Sequence, residues 1–131
     1  YSLRVEEDGS TQTFGEDFVI IPGKGYFVKS MSSTEVTFEG QKFTESVPLS
    51  LINGWNLINI QSPNKTYKAS EMLDKCSESE IDCDSFARYD SGLYDIIVKD
   101  AGTLFGNDFN VISSSGYFMR VKSGGGKTIT P

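Results

Sequence analysis

The chain has 131 residues, enough for one domain or two very small ones, and carries 18 acidic against 12 basic residues. No run of Lys or Arg is long enough to follow a phosphate backbone, and no apolar stretch approaches the ~20 residues that span a bilayer, so we expect neither a nucleic-acid partner nor membrane insertion. Histidine is absent, which excludes Ser-His-Asp and Cys-His catalytic pairs and every zinc site that uses His.

The composition favours strands and tight turns. Nine Phe, six Tyr and one Trp stand among many Val, Ile and Thr, together with 13 Gly. Apolar runs bounded by turn-forming residues predict strands, in chain order, at 2–6, 18–21, 25–30, 35–39, 55–60, 86–89, 94–99, 109–112, 116–122 and 127–130.

One segment departs from this pattern. Residues 68–76 are rich in good helix formers, and Met72, Leu73 and Cys76 lie at helical spacing. The pattern predicts one helix of two or three turns that packs on a sheet. A helix that binds a partner through its apolar stripe is the alternative.

An internal repeat organises the chain. Residues 14–29 match residues 105–120 at a constant offset of 91, with 8 of 16 positions identical. We interpret 1–47 as the closing half of a first repeat and 48–131 as a second, nearly complete repeat, and we expect the two to pack together. The predicted fold is mostly β with one short helix, arranged as an antiparallel sandwich or as small barrel-like lobes.

The repeated strands are expected to supply most of the core, and the two copies are expected to superpose. The residues predicted to contribute most are Phe18, Ile20, Tyr26, Val28, Trp55, Leu57, Ile58, Phe109, Val111, Tyr117 and Met119. A strand edge left open by this arrangement could be filled by another copy of the chain.

The two cysteines, Cys76 and Cys83, predict a local disulfide. Their spacing is too wide for a thioredoxin-type pair, and two ligands are too few for a Cys₄ zinc site. Two unrelated free thiols remain the alternative.

Three further motifs are candidate sites. The run Gly124-Gly125-Gly126-Lys127-Thr128 lacks the first glycine of a phosphate-binding loop and is interpreted as a turn. The acidic segment 78–84 could supply oxygen ligands to Ca²⁺ but lacks the order of an EF-hand loop, so we expect no cofactor beyond this calcium alternative. Asn64 begins an Asn-Lys-Thr sequon in a predicted loop, which makes it a candidate for glycosylation.

The segment Gly54-Trp55-Asn56-Leu57-Ile58, followed by Gly116-Tyr117-Phe118-Met119, resembles the opening and closing strands of β-rich repeats in secreted and surface-layer-like proteins of bacteria and archaea. The first copy carries a similar closing strand at Gly25-Tyr26-Phe27-Val28. The resemblance covers most of the chain and implies a short helix between the two motifs. The sequence departs from the Pro-Gly-x-Gly turn of these repeats at 113–116.

These observations predict a non-catalytic structural or assembly module of a larger extracellular or cell-surface protein. Its partners would be other copies or other domains of the parent protein. The alternative is a carbohydrate-binding module attached to a secreted enzyme, in which Trp55, Tyr26 and Tyr117 would form an aromatic platform for polysaccharide.

Overall fold

The computed structural model describes residues 2–7, 9–33, 35, 37 and 39–131. The described part of the chain contains one helix and nine strands. They are β1 (Ser2–Glu7), β2 (Ser10–Gly15), β3 (Leu49–Ser50), β4 (Gly54–Asn59), α1 (Ala69–Glu78), β5 (Asp82–Asp90), β6 (Leu93–Asp100), β7 (Thr103–Gly106), β8 (Gly116–Ser123) and β9 (Thr128–Ile129).

A five-stranded antiparallel sheet in the order β4-β8-β5-β6-β7 forms the centre of the structure. Strands β5, β6 and β7 follow one another through the two-residue turns Ser91-Gly92 and Ala101-Gly102, in which every residue has a positive φ. Such turns match the right-handed twist of the paired strands. Strand β8 then crosses back to lie between β4 and β5.

Helix α1 covers one face of this sheet. Its stripe of Met72, Leu73 and Cys76 is fully buried and belongs to the same core as Phe86 of β5 and Tyr117 of β8. The apolar stripe of the helix and the apolar face of the sheet are thus removed from water together. Burial of apolar surface is the main favourable contribution to the free energy of folding. The predicted helix is confirmed and ends two residues later than expected.

Strands β3 and β9 form a small clamp that brings together the two ends of the second repeat. Leu49 lies opposite Ile129, and both side chains are buried. The pairing continues beyond the strands, because Leu51 donates to the Lys127 carbonyl at 3.1 Å and accepts from Gly126 at 2.7 Å.

The predicted class, mostly β with one short helix, is confirmed, and the sheets are antiparallel. None of the described sheets closes into a barrel, so the barrel-like alternative does not hold. Residues 18–21 and 109–112 are predicted as strands but lie outside the sheets, and in the second of these segments Asn110 forms an isolated bridge to Lys68. The strand predicted at 35–39 falls partly outside the described residues.

The repeat recurs as local geometry. We call residues 14–29 the first copy and residues 105–120 the second copy. The hydroxyl of Tyr26 accepts a hydrogen bond from the Ile21 N–H at 2.9 Å, and that of Tyr117 accepts one from the Ile112 N–H at 2.7 Å. The ring of Tyr26 also stacks on Phe18, as that of Tyr117 stacks on Phe109. The two tyrosines therefore contact the preceding turns in the same way, although Gly23 has a positive φ and its equivalent Ser114 does not.

The copies differ after the turn. Residues 116–123 form β8, whereas residues 25–30 of the first copy are not in a strand. Among the residues predicted for the core, Phe18, Ile20, Val28 and Trp55 are exposed, while Phe109, Val111, Tyr117 and Met119 are buried. The prediction for the first four was wrong, because burial depends on a facing element that an apolar pattern does not specify.

The first copy contacts the second repeat at the outer edge of β4. Gly25 donates to the Leu57 carbonyl at 3.0 Å, and Asn59 donates to the Gly23 carbonyl at 3.0 Å. A Cβ atom on Gly25 would lie 2.7 Å from the Leu57 side chain, so this approach requires glycine. Within the described residues, no helix has the length and apolar character needed to cross a membrane.

Candidate binding face

The sheet face opposite α1 carries apolar side chains, of which Trp55, Tyr94 and Ile96 are exposed. We call it the helix-free face and define it by Trp55, Ala87, Tyr94, Ile96 and Phe118. The strand register explains this grouping. Phe118 lies opposite Ala87 on one neighbour, and Ala87 lies opposite Ile96 on the next, so alternate residues of four strands share one face.

Aromatic rings form a continuous row across this face. Ring centroids are 5.1 Å apart between Tyr89 and Tyr94, 5.7 Å between Tyr94 and Phe118, and 5.6 Å between Phe118 and Phe27. Trp55 lies at the β4 edge and is 52 % exposed, while Tyr94 is 63 % exposed. Together the defining residues surround a depression of about 410 Å³.

An ion pair borders the row. Arg120 donates from Nε to Asp84 Oδ1 at 2.7 Å and from Nη2 to Asp84 Oδ2. These bonds hold the pKa of Asp84 below its ordinary value, against the opposing effect of burial. The Arg120 guanidinium carbon also lies 5.8 Å from the centre of the Trp55 ring, so a fixed charge pair stands beside the exposed indole.

The structure does not bring together the three residues predicted as a ligand platform. Trp55 lies on the helix-free face, but Tyr117 is completely buried on the opposite side of the sheet. Tyr26 belongs to the first copy, where its ring stacks on Phe18. Because neighbouring residues of a strand face opposite sides, Phe118 lies on the helix-free face, where it is half-buried, and Tyr117 belongs to the core.

Cys76 and Cys83 form a disulfide with a Cα–Cα distance of 5.9 Å, as predicted. The bond joins the last turn of α1 to the beginning of β5. It therefore fixes the helix to the strand on which it packs.

The acidic segment 78–84 does not converge on a single point. Glu78 binds Lys75 at 2.7 Å, and Glu80 binds Lys127 at 2.9 Å. Lys127 lowers the pKa of the Glu80 carboxyl, as expected for a hydrogen-bonded pair. Within the described residues no group of three or more acidic or cysteine side chains is arranged to hold a metal ion. The calcium alternative therefore gains no support.

The remaining motifs lie at the surface. Residues 124–126 form the turn between β8 and β9, as interpreted from the sequence, and no helix follows them. Asn64 is exposed in the loop that leads from β4 to α1. The sequon is accessible there, and its use stays a prediction.

Sequence reasoning missed Tyr89, Tyr94 and Phe118 as members of a common face. A signal was present, because three consecutive apolar residues occur at 117–119 and again at 96–98. A strand covered on one side alternates apolar and polar residues, whereas an uninterrupted apolar run places apolar side chains on both faces.

No protein-family model, no curated protein and no solved structure matches this chain.

Proposed function

We propose that this protein is a non-catalytic structural or assembly module of a larger extracellular or cell-surface protein, and that it binds other copies of itself through the helix-free face. The observation that carries the proposal is the row of exposed aromatic rings on the sheet face opposite α1. Contiguous exposed apolar surface of this kind usually marks a site of contact with another molecule, because leaving it in water is unfavourable.

The charged side chains with shifted pKa values support a structural or binding function more than a catalytic one. The resolved pKa shifts of Lys75, Glu80, Asp84 and Arg120 all arise first from a hydrogen bond to an oppositely charged partner. Such pairs stabilise both charges, whereas a catalytic acid or base needs a pKa near the working pH.

The disulfide and the sequence resemblance support the proposed setting. Disulfides persist in oxidising environments such as the outside of the cell, so the bond between Cys76 and Cys83 favours an extracellular protein. The likeness of the Gly-Trp-Asn-Leu-Ile segment and its closing strand to repeats of secreted and surface-layer-like proteins points the same way. Such repeats stack on their neighbours.

A charge placed on the helix-free face tests this proposal. Tyr94→Lys inserts an ammonium group among the aromatic rings, whereas Leu93→Lys changes the preceding residue, which is 74 % exposed and faces the other side of the sheet. We expect the wild-type chain to self-associate in sedimentation equilibrium, Tyr94→Lys to weaken association at least about tenfold, and Leu93→Lys to leave it unchanged. A wild-type chain that stays monomeric at millimolar concentration would refute self-assembly through this face.

Carbohydrate binding is the second candidate, and the exposed Trp55 beside the Arg120–Asp84 pair favours it. Indole faces stack on sugar rings, and neighbouring charged groups bind hydroxyls. A polysaccharide that binds here should shift Trp55 fluorescence to the blue with saturation, and Tyr94→Ala should weaken the binding. If no polysaccharide in a broad panel changes the emission or the thermal stability, this candidate is rejected.

A further inference from the structure

The two copies of the repeat place equivalent apolar side chains in opposite environments. The equivalent pairs are Phe18 and Phe109, Ile20 and Val111, and Val28 and Met119. In the second copy these side chains are 4 %, 6 % and 0 % exposed, whereas in the first copy they are 49 %, 67 % and 84 % exposed. The equivalent positions carry apolar side chains at the same spacing in both copies, and these side chains are covered only in the second copy.

The second copy shows what covers that surface. We call residues 49–90, which contain β3, β4, α1 and β5, the opening half. Phe86 of the opening half stacks on Phe109 at 5.8 Å and lies opposite Met119 in the sheet. Val111 donates its N–H to the Tyr67 carbonyl at 2.8 Å. The cover therefore consists of strands and one helix that come before the second copy in the chain.

A polar contact belongs to the same interface. Asp108 accepts hydrogen bonds from the N–H and the hydroxyl of Ser70, both at 2.9 Å, in the first turn of α1. A carboxylate in this position satisfies an unpaired helical N–H and interacts favourably with the helix dipole. The equivalent of Asp108 in the first copy is Asp17, which is retained although it is exposed. Among the described residues, its side chain accepts a bond from the neighbouring Phe18 N–H at 3.0 Å.

We propose that the first copy is a docking surface for a further opening half of this type, one whose apolar face is not already covered by a second copy of its own. Phe18, Ile20 and Val28 would contact its helix and strands, and Asp17 would accept hydrogen bonds from the first turn of its helix, as Asp108 does for α1. The contact at Gly23 and Gly25 already joins the first copy to β4, so an opening half docked on the first copy would be held beside the second repeat. The inference rests on the proposed assembly function and names the partner of a second surface.

An extended chain tests the proposal directly. A duplicate of residues 48–95 is placed before residue 1 of the full chain. Ser2 lies opposite Gly15, and Ile97 lies opposite the equivalent Gly106, so Ser2 corresponds to Ile97. The duplicate therefore ends at Asp95, and residue 1 takes the place of residue 96. We expect amide hydrogen exchange over residues 18–29 to slow at least about tenfold relative to the unextended chain. The control is the same extension with Phe86→Asp in the added segment, which removes its central aromatic contact and should abolish the protection.

Asp17 gives a second readout. Asp17→Ala in the extended chain should restore fast exchange at residues 18–29, while Glu16→Ala, a change at the neighbouring and non-equivalent position, should not. Exchange that remains fast in the extended chain, whether or not the added segment folds, overturns the proposal. So does protection that survives both Phe86→Asp and Asp17→Ala. The measurement is made on monomers, so it does not depend on association through the helix-free face, which the Tyr94→Lys variant tests separately.

Discussion

The hydroxyl of Tyr117 accepts a hydrogen bond from the Ile112 N–H at 2.7 Å and donates one to the Ile112 carbonyl at 3.2 Å. Its ring is fully buried, so the phenol satisfies both backbone groups of the turn from inside the core. Tyr26 accepts the equivalent bond from Ile21 in a more exposed setting. The same tyrosine-to-backbone bond therefore occurs in both copies with two different degrees of burial.

Removing the two hydroxyl groups should have unequal effects. Tyr117→Phe leaves the Ile112 N–H without its partner, while the Ile112 carbonyl keeps the bond from the Ser115 N–H, and we expect the free energy of unfolding to fall by about 1–2 kcal/mol. Tyr26→Phe should cost less than about 0.5 kcal/mol, because water can replace the hydroxyl there. Urea denaturation of the two variants measures the difference, and equal losses would contradict it.

Gly106 should tolerate substitution much less well than Gly54. Both have positive φ, +102° and +94°, so alanine is strained at either position. A Cβ atom on Gly106 would also lie 2.1 Å from the Ile96 carbonyl oxygen, whereas one on Gly54 meets no atom within 4 Å. We expect Gly106→Ala to lower the free energy of unfolding by roughly 1–3 kcal/mol more than Gly54→Ala. Thermal denaturation of the two variants measures the difference. Equal losses would show that the close approach of Gly106 to β6 does not limit the side chain at this position.

The Asp84–Arg120 pair should make stability depend on pH in the acid range. Arg120 lowers the pKa of Asp84 in the folded protein, so the unfolded chain binds the proton more readily. The stabilisation is therefore fully present above pH ~4, the ordinary range of the carboxyl, and is lost as the pH falls through the lower folded value. Asp84→Asn should cost roughly 1 kcal/mol at pH 7 and progressively less below pH ~4. Denaturant titrations at pH 7, 5 and 3 test this, and a difference that does not change with pH would contradict it.

The disulfide should stabilise the fold by restricting the unfolded chain. The bond between Cys76 and Cys83 spans a sequence separation of 7, and closing so short a loop is worth roughly 2–3 kcal/mol. We expect Cys76→Ala, Cys83→Ala and the double variant to lose similar amounts, because each change removes the same cross-link. Additive losses in guanidinium denaturation would show that packing of the sulfur atoms, and not the cross-link, supplies the stability.

Much of the central sheet was predictable because its strands have strong apolar patterns. Strands β4, β6 and β8 were recognised from such runs, and α1 from the spacing of Met72, Leu73 and Cys76. Strand β3 has only two residues and was missed. Strands β2 and β7 were also missed, since their sequences are short or polar and each forms a hairpin with the strand before it. Local turn chemistry, and not burial, determines those two elements.

The candidate binding face was not predictable as a unit. The sequence predicts Trp55 and Tyr117 as core residues and, in the alternative, as parts of one ligand platform, but the register of β4 and β8 places them on opposite faces of the sheet. The apolar runs identify the strands without saying which face α1 will cover. The predicted burial of the first copy was wrong for a related reason. Phe18 and Phe109 occupy equivalent positions of the repeat, but Phe86 stacks on Phe109.

The clamp between β3 and β9 has a mechanical consequence. Leu49 and Ile129 lie side by side, so the chain enters and leaves the second repeat at the same place. Tension on the flanking chain would separate these strands one hydrogen bond at a time, starting from that end, while the longer β5 and β8 pairing stays intact. We expect force spectroscopy of several modules linked in tandem to show an early, low-force extension before the main rupture. The module would then respond to load as an elastic link that lengthens by a few residues and closes again when the load is released.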